Sequence, residues 1–188
     1  MSESEIVRYC APTLAGLKTA SLFNTACDSY EKLIREIRQA NRILKKRGMK
    51  LIPLSFAKKR ALIYVYRESS LAADLKNEMS RKILQQLGYV NKDIASCIST
   101  LSSRIRNAQE FPHEIGLFLG YPPYDVDCFM KGRNDYVACG MWKAYSDAQK
   151  ANETFAMFDQ CTKNYTKRLE QGESLEKLAV KSAVMKRR

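Results

Sequence analysis

Residues 111–129 constrain this chain more than any other stretch: Phe-Pro-His-Glu-Ile-Gly-Leu-Phe-Leu-Gly-Tyr-Pro-Pro-Tyr-Asp-Val-Asp-Cys-Phe, with three of the five prolines and the sole histidine, His113. Proline fixes φ and removes a backbone donor, so it suits the first helical position and interrupts a helix further in. Glycine reaches the left-handed conformation that ends a helix. Pro112 therefore opens one short helix and Gly120 closes it. Pro122 and Pro123 open a second, which Gly132 closes. The expectation is two short helices joined by a stiff elbow. No reaction can be read from these residues.

Hydrophobic spacing places the remaining elements. A short helix is expected over 2–9, broken near Pro12, and a strand over 18–23. Asp28 or Ser29 caps the strongest helix, which ends at Gly48. Its Tyr30, Leu33, Ile34, Ile37, Asn41 and Leu44 fall on one stripe at helical spacing. Strands are expected over 50–57 and 61–67, joined as a hairpin by Lys58-Lys59-Arg60. Pro53 puts the first at an edge, and the apolar run 61–66 puts the second at the centre. One helix is expected over 68–87, ending at Gly88, and another from an Asn91 cap to residue 107. Alternation over 135–145 predicts a strand. Ser146 or Asp147 caps a last helix over 148–171, with Phe155, Phe158, Cys161, Tyr165 and Leu169 on one side. Leu87-Gly88-Tyr89 followed by Asp93-Ile94 recurs as Leu119-Gly120-Tyr121 followed by Asp125-Val126, the same helix stop and restart.

This order predicts an α+β fold: a small, largely antiparallel sheet of about four strands covered by helices, with a helical insertion before the last strand. One globular domain is expected over 1–179, with a basic, frayed tail over 180–188. The longest apolar runs are strand-length, far short of the ~20 residues of a membrane span. The acidic start lacks the order of a secretory signal, so the expected location is cytoplasmic. In a reducing compartment the six scattered cysteines read first as small buried hydrophobes. No two form Cys-x-x-Cys, and one histidine completes no usual metal set.

The net charge of +12 implies attraction to something acidic. Arg35, Arg38, Arg42, Lys45 and Lys46 cluster on the outer side of the strongest helix, inside a basic band opened by Lys32 and closed by Arg60. The band reads as a solvated face, as a docking face for an acidic protein, or as a nucleic-acid site. The elbow mimics a helix-turn-helix, but Asp125 and Asp127 on its second helix would repel phosphates.

Other candidates cluster by chemistry. His113 in a first helical turn would feel the positive helix end, which favours neutral imidazole; alternatively Glu114 complements the dipole while His113 bonds the preceding loop. Thr13, Gly16 and Lys18 lie in a small-residue segment that would cradle an anion, without the full glycine pattern of a phosphate loop. Trp142, Lys143 and Tyr145 would stack on a flat ligand or cover the sheet edge.

Several segments resemble one uncharacterised family, a domain of unknown function found mainly in anaerobic Gram-positive bacteria. They are Cys10-Ala-Pro-Thr-Leu-Ala-Gly-Leu-Lys18, Ala61-Leu-Ile-Tyr-Val-Tyr-Arg67, Phe111-Pro-His-Glu-Ile-Gly-Leu-Phe-Leu-Gly-Tyr-Pro122, Cys139-Gly-Met-Trp-Lys-Ala-Tyr145 and the distal Cys161, in the family's order. Met141 and Ala144 depart from the family, which tends to have an aromatic and a valine there. The resemblance carries no activity and no cofactor. It implies gene neighbours for flavodoxin and iron uptake, and so an acidic electron carrier such as a flavodoxin as partner for a basic protein. It also retains three thiols, Cys10, Cys139 and Cys161, which with His113 would make a metal or reactive-cysteine site if they met; their helix and strand positions read equally as core.

Three functional readings follow. The first is a cytoplasmic binding or accessory protein for an acidic partner in redox or iron physiology, with the Pro-His-Glu corner and the last strand shaping a pocket. The second is a thiol- or metal-dependent enzyme using Cys10, His113, Cys139 and Cys161. The third is a nucleic-acid binder using the basic band.

Overall fold

A computed structural model of the chain describes residues 1–90, 93–107 and 110–181. Its centre is an antiparallel sheet in the order β1-β3-β2, from β1 Ala20–Ala26, β2 Met49–Ala57 and β3 Arg60–Arg67. Ala61, Ile63 and Val65 of β3 face one hydrophobic core, and Leu62, Tyr64 and Tyr66 face another. A strand needs apolar residues on both sides when both faces of its sheet are covered. β2 is the edge strand, and its register slips between Pro53 and Ser55, as a residue without a ladder donor requires. The hairpin turns through Lys58 and Lys59, both with positive φ, 49° and 58°.

One face of the sheet carries α1 Glu3–Leu14, α2 Tyr30–Leu44, α8 Ala148–Glu170 and α9 Leu175–Leu178. The other carries α3 Glu68–Lys76, α4 Glu78–Gln86, α5 Ile94–Asn107, α6 Ile115–Phe118 and α7 Pro123–Met130. The expected α+β class, with a small antiparallel sheet under helices, is what forms. The stretch 135–145 departs from expectation. It folds back on itself as a separate ribbon of β4 Ala138–Cys139 and β5 Lys143–Ala144, reversing where the Gly140 N–H bonds the Trp142 carbonyl at 3.1 Å.

Other boundaries moved for local reasons. α1, opened by a capping box of Ser2 and Glu5, runs past Pro12 by two residues to Leu14. β1 begins only at Ala20, after the Pro12 carbonyl has taken the N–H groups of Leu17 and Lys18. The span 68–87 is two helices: Asn77 leaves helical geometry (ψ 137°) and caps α4 through the N–H groups of Met79 and Ser80. The expected Asn91 cap lies outside the described residues; the Asp93 carboxylate accepts the Ser96 N–H at the start of α5. On α2, Ser29 is the cap. Tyr30 is exposed rather than on the buried stripe, and Asn41 spends both ends of its amide on the Leu51 backbone. Most of the expected tail lies outside the described residues. Val180 bonds the Leu14 carbonyl through its N–H and accepts from Arg67. No helix among the described residues is long and apolar enough to cross a membrane.

Candidate functional site

The second half of the elbow forms as its punctuation predicts, but Pro112 does not open the first helix: α6 begins only at Ile115, after the Pro112 carbonyl has taken the Ile115 N–H at 3.2 Å. Gly120 is left-handed (φ 80°), Pro123 opens α7, and Gly132 (φ 70°) follows it. α6 is a single turn with all four residues buried. At Gly116 a Cβ would come within 2.7 Å of the Val126 side chain, so only glycine lets the two helices of the elbow meet this closely. The Tyr64 hydroxyl donates to the Phe118 carbonyl at 2.6 Å, tying the elbow to the central strand. Buried Glu114 accepts from the Tyr89 hydroxyl at 3.0 Å and from the Arg104 guanidinium. It therefore braces α5 rather than complementing a helix dipole. His113 lies before α6, exposed, with its ring edge-on to Phe129 at 4.9 Å; the expected dipole effect has no long helix to act through.

Asp125 joins the elbow to the ribbon. It is buried in the first turn of α7, and its two oxygens accept the Trp142 indole N–H and the Tyr145 backbone N–H, each at 2.9 Å. Trp142 stacks on Tyr121 (4.9 Å between centroids) and meets the Phe155 ring edge-on (4.5 Å). The Tyr145 hydroxyl donates to the Arg133 carbonyl at 3.1 Å. From the sequence Asp125 is an acidic helix start and, with Asp127, a residue that would repel phosphates; its role as acceptor for the ribbon is not visible there. Its echo, Asp93, is exposed and does no more than cap. The one available signal was an acid on an otherwise apolar turn.

Tyr121, Asp125 and Trp142 border two cavities. The smaller, about 170 Å³, is lined by His113, Gly116, Phe129, Met141 and Lys143. The Lys143 ammonium lies 4.8 Å from the Tyr136 ring centroid and 5.7 Å from that of Phe129. The larger, about 510 Å³, is lined by Lys18, Thr19, Gly120, Thr154 and Phe158, with Lys150 and Asp147 among its polar members. The Lys18 ammonium lies 5.2 Å from the Tyr121 centroid and 6.0 Å from that of Phe158. Burial pulls it from an ordinary 10.5 down to about 8. Burial also pushes the nearby Cys10 thiol up to about 12, against the pull of Lys18.

The structure thus brings Lys18 and Trp142 to one cavity and His113, Trp142 and Lys143 to the other. Tyr145 supports that wall from behind, and the ribbon carrying it is not an edge of the main sheet. Thr13 is turned inward, its hydroxyl 2.9 Å from that of Ser21 and its carbonyl accepting the Arg67 Nε–H at 2.6 Å. The segment expected to cradle an anion holds a guanidinium instead. Cys10 is buried on α1, Cys161 half-buried on α8, and Cys139, expected in the core, is exposed on the ribbon. Among the described residues no three His, Cys, Asp or Glu side chains gather as a group that could hold a metal ion. Arg35, Arg38, Arg42, Lys45 and Lys46 are all exposed along α2 and the turn after it.

Residues 6–179 match the model of a family described as "Protein of unknown function (DUF3793)". No curated protein and no solved structure matches the chain.

Proposed function

We propose that this chain, which belongs to that family of unknown function, is a cytoplasmic binding or accessory protein whose α2 face docks an acidic partner protein. One observation carries the reading. Arg35, Arg38, Arg42, Lys45 and Lys46 are exposed, and none of them forms an ion pair among the described residues. Their neighbours differ: Lys32 is 3.8 Å from Asp28, and Lys50 is 2.6 Å from Glu68. Like charges three and four residues apart on a helix destabilise it by roughly 0.2–0.5 kcal/mol a pair. An opposing acidic surface removes that repulsion and speeds encounter.

A protein partner fits better than a nucleic acid because the face is not purely cationic. At the N-terminal end of α2, Tyr30 and Phe56 form an edge-on aromatic pair, 5.8 Å between centroids, exposed by 52% and 37%. Aromatics and arginines are the residues enriched in protein-docking patches. An acidic electron carrier such as a flavodoxin is the partner that the resemblance implies.

The test is affinity capture from a cell extract with the wild type and with an Arg35→Glu/Arg38→Glu/Arg42→Glu triple variant, run beside a mixed-sequence DNA and RNA binding assay. The expected result is an acidic protein retained by the wild type, released by about 0.5 M salt, and lost in the triple variant. Retention unchanged by the reversals overturns the docking face. Nucleic acid bound by the wild type alone, with no acidic protein captured, moves the assignment to nucleic acid.

A further inference from the structure

We propose that the larger cavity is a binding site for a small organic monoanion, a carboxylate on a flat apolar body, with the Lys18 ammonium as its counter-ion. The site is independent of the docking face, since none of the five α2 cations lines it.

Lys18 reaches the cavity because the chain turns sharply after α1. Gly16 is left-handed (φ 83°), and the Pro12 carbonyl takes the Lys18 N–H at 3.1 Å. Lys18 is only 9% exposed, and its ammonium forms no ion pair among the described residues. The carboxylates around it accept hydrogen bonds from other groups. Asp125 is committed to Trp142 and Tyr145. Asp147 accepts the Lys150 N–H, Asp74 accepts the Thr19 hydroxyl, and Lys150 stands exposed at the rim. Cys10 and Tyr121 are both held neutral by burial, each pushed up to about 12. No fully buried side-chain nitrogen lacks a hydrogen-bond partner among the described residues, so the Lys18 ammonium keeps some accessible surface, yet a largely desolvated ammonium without a counter-ion is costly. An anion entering the cavity removes that cost.

The walls choose the rest of the ligand. Trp142, Tyr121, Phe158, Leu17 and Met157 give aromatic and apolar surface, and about 510 Å³ falls in the ~300–1,000 Å³ range of small-molecule sites. A single buried cation matches a single negative charge; phosphate is usually met by several donors or an arginine fork.

Trp142 is the only tryptophan and stands between the two cavities, so its fluorescence reports a ligand in either, and loss of the response in Lys18→Met assigns it to the larger one. The experiment titrates the full chain in low-chloride buffer with benzoate, phenylacetate, hexanoate, neutral benzamide and inorganic phosphate, at pH 7 and at steps to pH 10. At least one aromatic carboxylate is expected to give a saturable change, with benzamide and phosphate at least about tenfold weaker. Affinity should fall by about tenfold per unit as the pH rises above 8, because the ligand binds the protonated amine. Lys18→Met should lose at least about tenfold in affinity while keeping the wild-type circular dichroism, and Arg35→Gln, on the α2 face away from the cavity, should stay within about twofold. The pH series on the wild type needs no variant to fold. No saturable response to any carboxylate, benzamide or phosphate binding as tightly as benzoate, hexanoate outbinding both aromatic acids, or full affinity in Lys18→Met would each overturn the proposal.

Discussion

At the scale of single residues, two buried cations show opposite solutions to one problem. Arg67 ends β3 with its guanidinium 2% exposed, and carbonyls receive it: Thr13 at 2.6 Å, Leu14 at 2.7 Å and Val180 at 2.9 Å. Two of these lie at the C-terminal end of α1, where unsatisfied carbonyls carry partial negative charge. Arg67→Met strands those acceptors and is expected to destabilise the fold by about 3 kcal/mol in urea unfolding, with Arg67→Lys restoring only part because it lacks the fork. Lys18 has no such receiver. Its folded pKa of about 8 lies below the ordinary 10.5, so the charged form is penalised in the folded state. Below pH 8 both states are protonated and the whole penalty is present. Between pH 8 and 10.5 the folded protein releases the proton that the unfolded chain still holds, and stability rises with pH. Lys18→Met should therefore be more stable than the wild type at pH 7, by about 2 kcal/mol, with the advantage shrinking as pH climbs from 8 to 10.5. Cys10 and the buried tyrosines act in the other sense above pH 9 in both proteins, so the difference between their denaturation midpoints is the readout. An advantage that stays constant over that range would mean that Lys18 holds its proton in the folded state as firmly as in the unfolded chain, so that burial does not penalise its charge.

At the scale of elements, legibility followed how local each signal was. The cap at Asp28 or Ser29, which falls on Ser29, the edge position of the strand holding Pro53 and the left-handed Gly120 are each decided within a few residues, and each appears in the structure. The ribbon was not legible. Alternation over 135–145 suits one long strand as well as two short ones, and what separates them is contact with distant residues. A Cβ at Gly140 would lie 2.5 Å from the Phe155 ring, and Asp125 supplies both acceptors that hold Trp142 and Tyr145. The break at Asn77 was missed for a related reason: an asparagine on a helical pattern is tolerated as well as it caps. If Asp125 is what attaches the ribbon, Asp125→Ala leaves two donors without acceptors. Destabilisation of about 2 kcal/mol is expected, together with a red-shifted Trp142 emission as the indole meets water. An unchanged emission maximum would show that stacking on Tyr121 suffices and that the carboxylate is incidental.

At the scale of the whole molecule, the two cores share one strand. The apolar run of β3 announced its central place, yet which helices cover which face is set by crossings that no local pattern encodes. For the same reason the sequence groups Lys18, His113, Trp142 and Lys143 as one candidate pocket where the structure has two cavities, and places Cys139 in a core that it does not enter. Sharing has a measurable consequence. β3 pairs with β1 from Ala26↔Arg60 to Ala20↔Tyr66 and with β2 from Ala57↔Arg60 to Met49↔Arg67. Freeing its amides requires both helical layers to lift, which is close to global unfolding. The ribbon has two pairs, Ala138↔Ala144 and Cys139↔Lys143, and rests on a small cluster around Ala151. Local opening free energies fall with the buried contacts that must be broken. In native-state hydrogen exchange, Ile63, Tyr64 and Val65 should exchange at the rate set by global stability, and the ribbon amides at least about 100-fold faster. Should the ribbon prove as protected as β3, the elbow, ribbon and sheet open as one unit, and the cavity walls are as rigid as the core itself.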